Sequence, residues 1–543
     1  MVITHNMKNK KLLLGIAWAW LICLSANAEV KLPTFFSDGM VMQQQTRANL
    51  WGTATPNASV KITTSWDKQT YKITADAKGA WKLALSTPSA GGPYTITFDD
   101  GKLTEIRDIL MGELWLCSGQ SNMEMPMKGF KNQPVENSNT DVMNSRNPQL
   151  RLFTVKRASS FTPKTDVVGT WQEAVPATVR EFSATAYYFG RMIQQQLNIP
   201  VGLIVASWGG SACEAWMHPD WLKAFPEAKI PQSEADIKSK NRTPTVLYNG
   251  MLHPLIGLAM RGVIWYQGED NYNRASTYAD MFSALIRGWR EEWQQGEFPF
   301  YYCQIAPYDY GIITEPGKNV INSAYLREQQ AMVEHRVGNS GMAVLLDAGM
   351  KTGIHPGKKR VAGERLGRLA LVKTYGMKGV TAESPYYTGM EVKNDTVIVS
   401  FDRPPIEYGK SELMFEGEKI ALVAVGSMVQ TAVQVREKLL DKGINATVVN
   451  ARFVCPLDTE CLDRLSRDHQ WIVTMEENVL KGGFGEACGD YLLAKHEDVR
   501  LIHVGVPDVY VEHGGVDQLK KTLHMDADSI VERICSAMSD ADD

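Results

Sequence analysis

The chain has 543 residues, 44% hydrophobic and 22% charged, with a formal net charge of -4. That length exceeds what one hydrophobic core fills and predicts three or four domains of ordinary globular composition. The charge balance leaves no basic footprint, which argues against a nucleic-acid partner.

Residues 1–28 read as a secretory signal peptide. Lys8, Lys10 and Lys11 precede an apolar run over 12–24, and Ala26-Asn27-Ala28 offers a small-x-small cleavage site before Glu29. The apolar run is short for a membrane span, so export to the periplasm or the extracellular space is expected, with no span left after cleavage. An uncleaved anchor is the alternative. Of the 8 cysteines, Cys23 falls in this segment, and the other seven form no Cys-x-x-Cys pair. No metal site or disulfide framework is indicated, and Cys117, Cys213 and Cys303 are expected as buried thiols.

Residues 29–108 show short apolar pulses separated by turn signals such as Pro56-Asn57 and Ala77-Lys78-Gly79. A β-sandwich accessory domain is predicted. Over 109–376 strands alternate with helices: strands at 114–117, 201–206, 263–266, 300–305 and 342–346, helices at 185–197, 278–293 and 326–337. This alternation predicts a parallel sheet between two helical layers. The polar stretch 126–180 is expected to form long loops over one end of it. Residues 377–404 return to β character and then stop.

Three motifs follow predicted strands, where parallel sheets build their sites, and a fourth lies between the last strand and a helix. Ser118-Gly119-Gln120-Ser121-Asn122-Met123-Glu124 places Ser121 at a tight turn as a nucleophile that needs a base. Ser207-Trp208-Gly209-Gly210-Ser211 lets backbone N–H groups of Gly209 and Gly210 approach a ligand. Trp265-Tyr266-Gln267-Gly268-Glu269-Asp270-Asn271 carries two side-chain amides, Gln267 and Asn271, either of which can donate to an oxyanion. Ile354-His355-Pro356 supplies a base. Taken singly, each has a plain structural reading as a turn or a core histidine. Glu124, Glu214 and Glu269 are read first as loop-holding acids, and Trp208, Trp216 and Trp265 as core aromatics at least as much as sugar platforms.

The ordered set Gly-Gln-Ser-Asn-Met-Glu, Trp-Gly-Gly, Trp-Tyr-Gln-Gly-Glu and Ile-His-Pro resembles the blocks of the SGNH hydrolases, in their sialate O-acetylesterase branch. The likeness covers about 30–402, including Phe36-Ser37-Asp38-Gly39-Met40-Val41-Met42. It implies a three-layer α/β/α domain at 109–376 and serine-type hydrolysis of acetyl esters on sialic acids or related glycans. Acetylxylan or another polysaccharide ester is the alternative substrate, and a non-catalytic glycan-binding protein the alternative class. By position, Ser121 attacks, His355 takes the proton, and Ser121, Gly209 or Gly210, and Gln267 or Asn271 form the oxyanion hole. The superfamily places an aspartate two or three positions before the histidine. Gly353 and Thr352 stand there in this chain, which leaves a dyad or a triad completed by Asp347.

Residues 405–543 read as a second α/β run, with strands at 420–425, 446–449, 471–475 and 501–504 and a helix after each. Gly426-Ser427-Met428-Val429, Asn450-Ala451-Arg452-Phe453-Val454-Cys455-Pro456-Leu457-Asp458, Thr474-Met475-Glu476-Glu477-Asn478 and Gly482-Gly483-Phe484-Gly485 resemble the C-terminal domain of 1-deoxy-D-xylulose-5-phosphate synthase, a transketolase-type, doubly wound domain. The cofactor of that family, thiamine diphosphate, is held by two domains with no counterpart in this sequence. The resemblance therefore implies no cofactor and a catalytically silent domain. Gly482 to Gly485, before a helix, is a candidate anion loop with a packing turn as its plain reading. The join is abrupt and lacks a flexible linker, so the whole reads as a chimeric open reading frame.

Overall fold

The computed structural model describes residues 29–312, 323–394, 396–402, 409–495 and 499–542. The expected signal peptide, Cys23 and the join at 403–408 lie outside the described residues. Two compact units are present, one ending at Tyr375 and the other starting at Gly376.

The first unit opens with β1 (Val41–Gln43), β2 (Arg47–Thr53), β3 (Ser59–Thr64), β4 (Thr70–Thr74), β5 (Ala80–Ser86) and β6 (Gly91–Asp99). Strands β2 and β5 pair with each other, and β4, β3 and β6 form an antiparallel run. Trp81 of β5 packs against Phe98 of β6 at 5.8 Å, so alternate residues of both groups enter one apolar layer. The long strand β7 (Leu103–Gly119) follows. Its first half pairs antiparallel with β6, and its second half lies parallel to β10 (Val201–Ser207). Residues 108 and 109, the boundary expected from composition, fall inside this strand. At the hand-over Gly112 is obligatory, because a Cβ there would stand 2.0 Å from the Pro200 carbonyl oxygen.

The main sheet has the order β13-β12-β11-β7-β10-β8-β9. Strands β8 (Asn147–Thr154), β11 (Gly262–Tyr266), β12 (Phe300–Cys303) and β13 (Ser340–Ala343) continue the parallel set, and β9 (Trp171–Ala174) closes one edge antiparallel. Strands β8 and β9 correct the expectation of loops throughout 126–180. Their apolar signal is broken by Arg151, which is buried and ion-paired to Asp108 rather than exposed. Trp115 meets Phe189 of helix Ala184–Leu197, whereas Trp265 stacks on Phe282 of helix Tyr278–Trp293. Trp115 pairs in register with Gly262, three residues before Trp265, so the two indoles point to opposite faces. Helices therefore cover both faces. Cys117, Cys213 and Cys303 are buried free thiols.

The second unit contains an antiparallel hairpin, β14 (Tyr387–Lys393) and β15 (Thr396–Phe401), and a five-stranded sheet. The sheet is ordered β16-β18-β17-β19-β20: β16 (Glu412–Phe415), β18 (Thr447–Asn450), β17 (Lys419–Ala424), β19 (His469–Val479) and β20 (Arg500–Val506). Two apolar cores lie on its two faces, one around Ile420, Leu422 and Val448, the other around Ala421, Val423 and Val449. Alternation along β17 thus feeds both, as a doubly wound sheet requires. Helix Ala527–Asp542, beyond the elements expected from the sequence, seals the first of these with Ile530 and Ile534. Among the described residues no helix is long and apolar enough to cross a membrane.

Candidate active site

Register places the motifs together. Gly119, Ser207 and Tyr266 stand opposite one another at the carboxyl ends of β7, β10 and β11, so the residues that follow them share one edge of the sheet. The turn after β7 demands glycine. Gly119 has φ +136, and a Cβ there would approach the Tyr266 carbonyl oxygen to 2.1 Å. The chain then enters the single turn Ser121–Glu124, which puts Ser121 at its start, largely buried beneath the cleft.

His355 Nε2 lies 2.8 Å from Ser121 Oγ, and His355 Nδ1 lies 2.6 Å from Gln133 Oε1. An amide oxygen only accepts, so Nδ1 carries the proton and Nε2 is left to accept from the serine hydroxyl. Phe130 covers the imidazole edge-on at 5.1 Å. Phe130 and Gln133 come from one tight turn closed by reciprocal 3.0 Å backbone bonds. Gly129, at φ +78, permits that turn, since a Cβ there would meet the Gln133 carbonyl oxygen at 2.3 Å. Burial, with a smaller contribution from the Lys359 ammonium, lowers the His355 pKa to about 4. The imidazole is therefore neutral near pH 7.

The structure does not bring Asp347 to His355. Its exposed carboxylate forms a two-pronged pair with Arg365, at 2.6 and 2.7 Å, which holds its pKa below the ordinary aspartate value. Gln133 occupies the place the aspartate was expected to fill. No spacing signal marks it, because it lies 222 positions from His355 in a polar loop.

The expected oxyanion donors divide. Gly209 and Gly210 line an open cleft of about 660 Å³ together with Ser121 and His355. The Gly209 N–H donates to Glu124 Oε2 at 2.8 Å, and Arg157 grips the same carboxylate at 2.6 and 2.7 Å. Gln267 is fully buried instead. Its amide hydrogens go to the Ser211 carbonyl and to Asn271 Oδ1, and its oxygen accepts from Tyr278. Asn271 donates to Glu214 and accepts from the Cys213 N–H. Both amides brace the loops behind the cleft. Trp216 and Trp265 are core residues, while Trp208 is partly exposed, with the Arg157 guanidinium 5.6 Å from its ring centre.

A polar knot lies beneath the nucleophile. The Asn122 side chain donates to Glu269 and, at 3.0 Å, to the Ile354 carbonyl, and it accepts from Lys359.

In the second unit the Gly482-to-Gly485 loop is filled from within. The N–H groups of Phe484 and Gly485 donate to the buried Glu476 carboxylate at 2.8 and 2.7 Å. The chain's own acid occupies the helix terminus where an external anion was one option.

Comparison with known proteins agrees with this division. The family described as carbohydrate esterase, sialic acid-specific acetylesterase, matches residues 111–344. Sialate O-acetylesterase of Pongo abelii is 30% identical over 394 residues, which cover 66% of this chain and 74% of that protein. The chain belongs to the sialate O-acetylesterase family. The Rattus norvegicus sialate O-acetylesterase is 29% identical over 446 residues, covering 71% of this chain and 81% of that protein. A crystal structure of a carbohydrate acetylesterase from Xanthomonas citri superposes with TM-score 0.62 at 34% identity, covering 69% and 82% of the two chains. The protein is thus an ester hydrolase. Residues 409–530 match the transketolase C-terminal domain. That part is 50% identical over 131 residues to 1-deoxy-D-xylulose-5-phosphate synthase of Lachnoclostridium phytofermentans, spanning 24% of this chain and 21% of the synthase.

Proposed function

We propose that the protein is an exported esterase that removes O-acetyl groups from sialic acids or related glycans by a Ser121–His355 mechanism. The observation that carries this reading is the 2.8 Å contact of Ser121 Oγ with His355 Nε2 at the floor of the cleft. Ser121 Oγ adds to the acetyl carbonyl as His355 Nε2 takes its proton. The tetrahedral oxyanion faces the N–H groups of Ser121 and of Gly209 or Gly210, with Glu124 releasing Gly209 as substrate enters. His355 returns the proton to the sugar oxygen as the C–O bond breaks, leaving acetyl-Ser121. Water, activated by the same imidazole, releases acetate. Gln133 fixes the tautomer throughout.

Three arginines on the cleft wall, Arg157, Arg242 and Arg274, support an anionic sugar. Each is paired with one acid, Glu124, Asp270 and Glu214 respectively, and a guanidinium has donors beyond one such pair. Residues 1–28 act as the export signal and 29–108 as a β-sandwich accessory to the hydrolase. The transketolase-type unit is catalytically silent, because the cofactor-holding partners of its relatives have no counterpart in the sequence. Acetate release from acetylated sialosides, set against acetylated xylan and an aryl acetate, tests the reading. Preference for xylan moves the substrate class. Glycan binding without acetate release from any of them replaces the enzyme reading with a binding one, a reading motivated by the missing aspartate.

A further inference from the structure

Lys359 opens helix Lys359–Leu369 and is 1% exposed. Burial of an ammonium is costly without close partners. Its partners here are few: Asn122 Oδ1, the face of Tyr266 at 5.7 Å, and the nearby charge of Glu269. The helix that delivers it is fixed, since Gly363 packs so closely on Thr185 and Tyr188 that a Cβ would meet both at 2.6 Å. Asn122 immediately follows the nucleophile, and its amide hydrogens reach the Ile354 carbonyl and Glu269. Ile354 immediately precedes the base. One side-chain amide thus ties the serine turn to the histidine loop, and Lys359 holds its oxygen. Glu269 and Ile354, both acceptors, set the direction of the amide; without the ammonium its buried oxygen loses its donor and the amide its third anchor. Glu269 also gains importance, because its Oε2 is buried without a hydrogen-bond partner among the described residues.

We propose that Lys359 is a positioning residue, which supports the Ser121–His355 geometry by anchoring the oxygen of the Asn122 amide that joins the two loops. The inference rests on the Ser–His reading above. Lys359 faces Glu269, Cys303 and Tyr266, with His355 beyond Asn122, and its charge opposes protonation of His355.

The test compares K359M, K359Q and S121A in the full chain with an aryl acetate. K359M, which removes the donor, should lower kcat by about 10- to 100-fold with KM within about threefold, as expected when reacting groups are displaced by a fraction of an ångström. K359Q, which keeps a donor without charge, should retain kcat within about threefold at its plateau. Its kcat/KM acid limb should move up by about half a unit to one unit, since loss of a positive charge eases protonation of His355. A folded K359M with wild-type kcat overturns the proposal. If K359M does not fold, a folded K359L with wild-type kcat overturns it equally. S121A retaining turnover overturns the Ser–His reading and this inference with it. An inactive S121A beside a fully active K359M overturns this inference alone.

Discussion

Gln133 stands where an aspartate is usual, so its replacement is the sharpest probe of the mechanism. Its carbonyl accepts from His355 Nδ1 at 2.6 Å in a half-buried setting. In the ground state that bond joins neutral partners, and such bonds contribute about 0.5–1.5 kcal/mol. In the transition state the imidazole is cationic, and a bond to a charged group contributes about 1.5–3 kcal/mol. Only the increment of about 1–2 kcal/mol accelerates the reaction, so Gln133→Ala should lower kcat by about 5- to 30-fold with little change in KM. Gln133→Glu works in the opposite electrostatic direction. A carboxylate about 4 Å from the imidazolium, at an effective dielectric constant of about 20, contributes about 4 kcal/mol, or two to three pKa units after desolvation. A negative neighbour favours the protonated form, so the His355 pKa rises from about 4 toward about 6–7. The base works deprotonated, so the acid limb of kcat/KM moves up by the same amount. Stopped assays of aryl acetate hydrolysis from pH 4 to 9 read both effects. Gln133→Ala with kcat within twofold of wild type, and a native melting temperature, would refute the tautomer argument. So would a Gln133→Glu acid limb still below pH 5.

Ser121→Ala and His355→Ala should each remove nearly all acetate release, and the double variant should be little worse than either, since the pair acts as a unit. Gln267→Ala should act on stability more than on rate: it strands the Ser211 carbonyl in the core, while Tyr278 Oη keeps the main-chain carbonyl of residue 267 at 3.2 Å, so urea unfolding should report a loss of about 2 kcal/mol. A hundredfold fall in kcat without that loss would return Gln267 to the oxyanion hole. Deletion of 376–543 should leave turnover within twofold, and a folded but inactive truncation would make the two units one functional body.

The parts of the site that were legible in the sequence are those fixed by local rules. Ser121 comes directly after β7, and His355 lies on the connection from β13 to the next helix; a parallel sheet brings such connections to one edge. The glycines of the serine and tryptophan motifs announce close backbone approach, which Gly119 meets at the Tyr266 carbonyl. Orientation was not legible. Gln267 and Asn271 have the right chemistry, yet Tyr278, Glu214 and the Cys213 N–H compete for them and turn them into the core. Asp347 is close to His355 in sequence, but Arg365 from the following helix takes its carboxylate. Gln133 and strand β8 were hidden for a related reason. A polar loop residue and a buried, ion-paired arginine both read as surface until the partner is known. Glu476 likewise carries no mark in its own motif that it will cap the glycine loop.

The last residue of the first unit, Tyr375, bonds back to the strand that carries the nucleophile. Glu113 lies on β7 where the N-terminal strands give way to the main sheet, and its side chain is fully buried. An isolated carboxylate there would be prohibitive, but Gln43, Gln44, Arg261 and Tyr375 all donate to it. Tyr375 also accepts from Trp115 Nε1 at 3.1 Å, so the last residue of the unit is bonded to the strand that leads to Ser121. The hairpin that follows has the opposite character. Tyr387, Met390 and Val392 of β14 and Val397, Ile398, Val399 and Phe401 of β15 are all exposed, on both faces. A two-stranded sheet with neither face covered is marginal in water and presents free edges for pairing. The five-stranded sheet after it has two sealed cores of its own and a glycine loop already satisfied by Glu476. That hairpin combines free edges with seven exposed apolar side chains. Aggregation of the full chain should therefore start there, and polar substitutions at Val397 and Val399 should relieve it without altering acetate release.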